Sequence, residues 1–165
     1  MRGSLLAAAV AVLCGLALAG CGGSGGTTAR TGSGRLSKAA YRSRLAKVAR
    51  EARAAQAAVG KAAAKAKTVG DVQTALRAFA AAYDRLGNQV ASLKAPRDAE
   101  AANAELARGE HDDAAETRAI VPKLSKFKTV QQAFGYLQQV GHTKGGTEQD
   151  AALATLKRLG YTTGS

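Results

Sequence analysis

Almost nothing in this sequence can cross-link it. Among 165 residues there are two cysteines, Cys14 and Cys21, and both fall in the first 21 positions. The rest of the chain has no disulfide, no cysteine nucleophile and no cysteine-based zinc site. Aromatic residues are nearly as scarce: no tryptophan, four tyrosines and three phenylalanines. Without an aromatic stacking cluster or a recognition motif, the net charge of +12 does not indicate nucleic acid. Proline occurs twice, at Pro96 and Pro122, so helices elsewhere run without that interruption. Alternating apolar stretches of strand type are missing, and β-branched residues are sparse. The longest apolar run, Leu5 to Leu18, is broken by Gly15. It is short of the ~20 residues that cross a bilayer comfortably, and no stop-transfer pattern follows it.

The N-terminus has three zones. Arg2 supplies a positive start, Leu5–Leu18 an apolar core, and Leu18-Ala19-Gly20-Cys21 a small-residue end. That order describes a secretory signal. The last four residues resemble the lipobox of bacterial lipoproteins. The resemblance implies a diacylglyceryl group on the Cys21 thiol, cleavage of the Gly20–Cys21 bond, and acyl chains that hold the chain at the outer face of the cell membrane. Two acyl chains suffice for stable anchoring. Residues 22–34 read GGSGGTTARTGSG, a flexible-linker composition. As a coil, the stretch up to Leu36 reaches roughly 20 Å. The expected organisation is therefore a cleaved signal helix over 1–20, a lipid-anchored Gly/Ser/Thr-rich linker over 21–36 and a helical bundle domain over 37–165.

Charge is unevenly placed. Between Arg30 and Lys67 stand eleven basic residues and one acid, Glu51; between Asp98 and Glu116 stand seven acids and one base, Arg108. One reading is a basic helix and an acidic helix attracting each other within a bundle. The other is a basic helix, carried by Arg42, Arg44, Lys47, Arg50 and Arg53, that faces anionic lipid or a cell-wall polymer. Each such charge near an anionic surface adds ~1 kcal/mol, within a Debye length.

Heptad-like spacing predicts helices throughout the remainder. The first stripe is Tyr41, Leu45, Val48, Ala52, Ala55, Val59, Ala62 and Ala66, with Ser37 as N-cap and Leu36 stapled onto Tyr41. Thr68-Val69-Gly70-Asp71 is a capping box ahead of the second stripe, Val72, Leu76, Phe79, Tyr83, Leu86, Val90 and Leu93. A third helix runs from Pro96 to about Leu124, with Ala99, Ala102, Leu106, Gly109, Asp113, Thr117, Ile120 and Leu124 inward, and with Pro122 breaking its last turn. Thr129 caps a fourth helix along Val130, Phe134, Leu137 and Val140. Thr147-Glu148-Gln149-Asp150 starts a short fifth, along Leu153, Leu156 and Leu159, which Gly160 ends. The pattern predicts an all-α protein, an antiparallel bundle of four helices plus a short C-terminal helix. Lys65-Ala66-Lys67-Thr68-Val69 recurs as Lys126-Phe127-Lys128-Thr129-Val130, which fits two copies of a hairpin or chance in an Ala/Lys-rich chain. SKAAYRSRLAKV and SLKAPRDAEAANAEL resemble segments of small helical lipoproteins of unknown function in high-GC Gram-positive bacteria; that resemblance implies no activity.

The strongest chemical candidate is Glu110-His111-Asp112-Asp113-Ala114-Ala115-Glu116. Asp112 and Glu116 lie one helical turn apart, and Asp113 sits on the inward stripe. Carboxylates so spaced can bind a divalent cation; the plainer reading is an acidic, solvated helix face. Ferritin-like metal bundles need Glu-x-x-His pairs, which are missing. His142 falls in the loop Gly141–Gly146, read as a mobile connector; it has phosphate-loop glycine spacing but no lysine before Thr147 and no preceding strand. Outside the linker there is no Gly-x-Ser-x-Gly. The expectation is a lipid-anchored binding or interaction module that is not an enzyme and needs no cofactor. Its partners would be the membrane, an anionic polymer or an envelope protein. The alternative is a small-ligand or cation-binding lipoprotein using Asp112, Asp113 and Glu116.

Overall fold

The computed structural model describes residues 34–161. The expected signal over 1–20, the lipid site Cys21, the Gly20–Cys21 cleavage point and most of the linker lie outside the described residues. Five α-helices pack together: α1 Lys38–Lys65, α2 Val69–Ser92, α3 Glu100–Ile120, α4 Val130–Val140 and α5 Lys144–Arg158. No strand occurs among the described residues, and none of the described helices is long and apolar enough to cross a membrane.

The helix starts follow local chemistry. Ser37 accepts a hydrogen bond from Ala40 N at the head of α1, and Thr68 accepts from Asp71 N at the head of α2. Asp71 closes the box by accepting from the Lys67 and Thr68 amides at 2.9 Å each; these bonds hold its carboxyl below the usual range. Thr129 caps α4 through Gln132 N, while Gln132 Oε1 reaches Lys128 N rather than the cap residue itself. Pro96 precedes a 3-10 turn at Arg97–Ala99, so α3 begins at Glu100. At its other end α3 gives way to a 3-10 segment, Val121–Lys126, with Pro122 near its start. A proline ring there removes an amide and crowds the preceding turn. Tyr161 N bonds Leu156 O and Gly160 N bonds Lys157 O, with Gly160 at φ +74°, so the expected glycine cap closes α5.

Successive contacts fix the orientation. Gln56 with Tyr83 and Glu51 with Gln89 run α1 against α2 antiparallel. Val90 with Asn103 and Gln73 with Val121 do the same for α2 and α3. Asp113 with Thr143 and Gly109 with Gln149 set α5 antiparallel to α3. The fourth long packing partner is therefore α5, not α4. The short α4 closes one end of the bundle, where Ala133, Phe134 and Leu137 join Val72, Leu76, Ile120 and Leu124. A pair of matching hairpins does not describe this arrangement.

Two boundary corrections follow. Arg35 and Leu36, expected as linker, belong to the packed unit. Leu36 N bonds Lys94 O at 2.8 Å, and Arg35 reaches Ala95 O and both Glu100 carboxylate oxygens. More consequential, α5 starts at Lys144, not after Thr147. Thr143 is its cap, accepting from Gly146 N at 3.0 Å. Gly145, expected in a mobile connector, is buried against the backbone of α3. The stripe of α1 also drifts: Ala63 is buried and Ala62 exposed, because a straight helix turns every 3.6 residues and not every 3.5.

A methyl group on Gly145 would lie 2.6 Å from Gly109 O and 2.8 Å from Asp113 Cα, both backbone atoms that cannot swing aside. Gly145→Ala should therefore push α5 off α3 and cost about 2–4 kcal/mol, on the scale of forced core overpacking. Gly135, inside α4 with open space at its Cβ position, is the counter-case. Gly135→Ala should stabilise by about 0.5–1 kcal/mol. Urea unfolding followed by circular dichroism measures both.

Candidate functional site

The polar interior of the bundle lies in the seam between α3 and α5. Asp113, Thr143 and Gln149 meet there, and Glu110 and Thr117 are two further buried polar residues of α3, with Glu110 at 3% and Asp113 at 1% exposure. Two glycines make it possible, since Gly109 and Gly145 let the helix backbones meet without side chains between them. Thr143 Oγ1 donates to Asp113 Oδ1 at 2.8 Å while still accepting from Gly146 N. Gln149 Nε2 donates to Gly109 O at 3.1 Å. Nothing equivalent serves Glu110: its Oε2 is buried without a hydrogen-bond partner, as is Thr117 Oγ1.

Electrostatics follow from this geometry. Burial pushes the Glu110 carboxyl up to about 8, and the neighbouring Asp113 charge adds to the rise. Burial also raises Asp113, to about 6; Thr143 and Gln149 pull it back, and Glu116 opposes them. Between roughly pH 6 and 8, then, Glu110 is the proton-bearing member of the pair.

The seam's rim is charged. Asp112 Oδ2 lies 3.7 Å from Lys144 Nζ, which also reaches Glu148 at 3.2 Å; that carboxylate company raises the lysine's pKa. On the α2 side, His111 Nδ1 is 3.3 Å from Asp84 Oδ1, and Arg118 bonds the other oxygen of Asp84. His111 rests on Gly87, whose missing side chain leaves room for the ring.

The three carboxylates expected as a cation set have different surroundings. Asp113 turns into the seam toward Thr143, Asp112 faces Lys144 at the rim, and Glu116 is half-buried. No group of three His, Cys, Asp or Glu able to hold a metal occurs among the described residues. Asp113 had been expected to point inward and does. Glu110 was passed over, although a signal for it exists. Asn103, Ala107, Glu110 and Ala114 repeat with four-three spacing beside the first stripe, and all four are buried. Two of them are polar, which hides a second inward face. The expectation of no Ser-x-x-Lys outside the linker is incorrect, because Ser125-Lys126-Phe127-Lys128 has the spacing found in some acylating enzymes. Here Ser125 Oγ accepts from Gln73 Nε2 at 3.0 Å, and Lys128 is exposed beyond the 3-10 segment.

Of the basic residues expected at a surface, Arg42, Arg44, Lys47 and Arg50 are exposed on α1, while Arg53 is half-buried. Lys47 lies 3.9 Å from Glu51. His142 is exposed just ahead of the α5 cap. No family model, curated protein or solved structure matches this chain.

The seam fixes how stability depends on pH. Glu110 and Asp113 both titrate higher in the folded state than their ordinary values of 4.5 and 3.8. Their protonated forms therefore favour folding: the benefit is complete below about pH 4 and is lost as pH rises toward 8. The melting midpoint should fall between pH 5 and pH 8.5. Glu110→Gln should flatten that slope and stabilise the protein at pH 8 by on the order of 2–4 kcal/mol, at ~1.4 kcal/mol per pKa unit. A wild-type midpoint that rises over that range, followed by differential scanning calorimetry, would contradict the assignment.

Proposed function

We propose that this chain is a surface lipoprotein, anchored through Cys21 at the outer face of the cell membrane. Its five-helix bundle acts by binding rather than by catalysis. The observation that carries the reading is the set of exposed cationic side chains on α1, the helix that follows the tether. Arg42, Arg44 and Arg50 are exposed and have no hydrogen-bond or ion-pair partner among the described residues. Lys47 shares its charge with Glu51 only at 3.9 Å. Exposed arginines without an internal partner suit an anionic partner outside the bundle, and a membrane or wall polymer lies within reach of a tether of roughly 20 Å. The lipobox-like Leu18-Ala19-Gly20-Cys21 and the Gly/Ser/Thr-rich run after it support the anchor. A role as a docking platform for an envelope protein belongs to the same reading. Binding of a cation by Asp112, Asp113 and Glu116 is less well supported, because Lys144 already neutralises the rim at Asp112.

Two measurements test the proposal. In a Gram-positive host, the wild-type chain should sediment with membranes, and its N-terminal peptide should begin at Cys21 with the added mass of a diacylglyceryl group. Cys21→Ser should appear in the soluble fraction. For the surface, the Cys21→Ser chain should bind vesicles containing phosphatidylglycerol and not neutral phosphatidylcholine vesicles. Replacing Arg42, Arg44, Lys47 and Arg50 by Gln should weaken that binding at least about tenfold, given ~1 kcal/mol per charge. Unmodified, soluble wild-type protein would refute the anchor, and equal binding to both vesicles would refute the surface.

A further inference from the structure

A groove of about 580 Å³ opens where α2 passes the 3-10 segment after α3, lined by Gln73, Arg77, Arg118, Val121, Pro122 and Ser125. Its volume is in the range of sites that take small organic ligands. Gln73 holds the groove's shape, since its amide nitrogen donates to Val121 O at 2.9 Å and to Ser125 Oγ at 3.0 Å. That spends both amide hydrogens and pins the 3-10 segment to α2.

The two guanidiniums differ in their engagement. Arg118 is held by Asp84, and that carboxylate's other oxygen is taken up by His111. Arg77 is exposed and has no hydrogen-bond or ion-pair partner among the described residues. No acidic side chain lines the groove. Gln73 and Arg77 line it from α2, while Arg118, Val121, Pro122 and Ser125 line it from the end of α3 and the 3-10 segment, so two like charges and an exposed proline ring face one concavity. Planar guanidiniums grip carboxylate and phosphate groups in bidentate fashion, while the proline ring and valine give an apolar body a surface to cover.

We propose that this groove binds a small organic anion, with its carboxylate or phosphate on Arg77 and Arg118 and a compact apolar body against Val121 and Pro122. The site is separate from the cationic residues on α1 and does not depend on the anchor. Pro122 therefore has a second role, as it both follows the end of α3 and lines the groove.

The test uses the full chain in non-ionic detergent micelles at low salt, titrated calorimetrically with benzoate and with phenyl phosphate. Acetate and inorganic phosphate serve as head-only probes. Saturable binding of either aromatic anion is expected, tighter than its head-only counterpart, with the Nε–H signals of Arg77 and Arg118 shifting in nitrogen-15 spectra. Which of the two binds more tightly identifies the preferred head group. Arg77→Gln should weaken binding at least about tenfold, the scale of one charge-assisted bidentate contact, without moving the melting midpoint, since Arg77 supports no fold contact. Arg97→Gln, an equally exposed arginine in the turn between α2 and α3 with no assigned binding role, should leave binding unchanged. The proposal is overturned if neither aromatic anion binds up to millimolar concentration. It is also overturned if head-only anions bind as tightly, or if Arg97→Gln weakens binding as much as Arg77→Gln does.

Discussion

The close approach of α3 and α5 at Gly109 and Gly145 is the constraint on which the architecture depends. Helices separated by ordinary side chains stand 8–10 Å apart. Here one backbone rests on another, and a single methyl group at Gly145 would meet main-chain atoms of α3. That contact makes a 15-residue segment a full member of the bundle. It also gives α3 two buried faces, one toward α2 and one toward α5. Residues that a single-faced helix would show to water are thereby enclosed, Asp113 among them.

The enclosed polar groups have unequal arrangements. Asn103 is fully employed, accepting from Tyr41 Oη and donating to Val90 O. It ties three helices together at a core of alanines, tyrosines and leucines that is otherwise without direction. Asp113 is matched by Thr143, so the cap of α5 and the carboxyl of α3 are one device. Glu110 has no such partner, and its burial is tolerated because it keeps its proton. A buried polar group of this kind contributes less to stability than an apolar side chain of its size would. Position comes from the matched groups instead: α5 cannot slide by a turn without stranding Thr143 and Gln149.

Much of this was legible from residue spacing. Every residue of the α2 stripe from Val72 to Val90 is buried, and the α3 stripe from Ala99 to Leu124 is buried at each expected position, Asp113 and Gly109 included. Capping threonines announced α2 and α4, and Pro122 announced the change at the end of α3. The start of α5 was not legible, for a physical reason. Paired glycines lower helix propensity and read as a breaker, whereas here tertiary contact with α3 outweighs propensity. Glu110 was hidden for another reason: a pattern rule assumes one apolar face, and the face of Asn103, Ala107, Glu110 and Ala114 is half polar yet buried. The Arg77 groove left no trace in the spacing at all: its residues come from α2, α3 and the 3-10 segment, and only folding gathers them.

Both ends of the described chain meet at one pole of the bundle. Lys38 Nζ bonds Leu159 O, Tyr161 Oη bonds Asp98, and the Tyr161 ring packs edge-on against Tyr41 at 5.2 Å. Arg35 and Leu36 are fastened beside them to the turn between α2 and α3. Any pull on the segment before residue 34 is therefore received first by this clasp. The load arrives at the tip of α1 and the turn after α2, at the far end from α4 and its small core. Under traction the bundle would begin to open at the pole where its termini are knotted together, with the clasp acting as the mechanical fuse for everything beyond it.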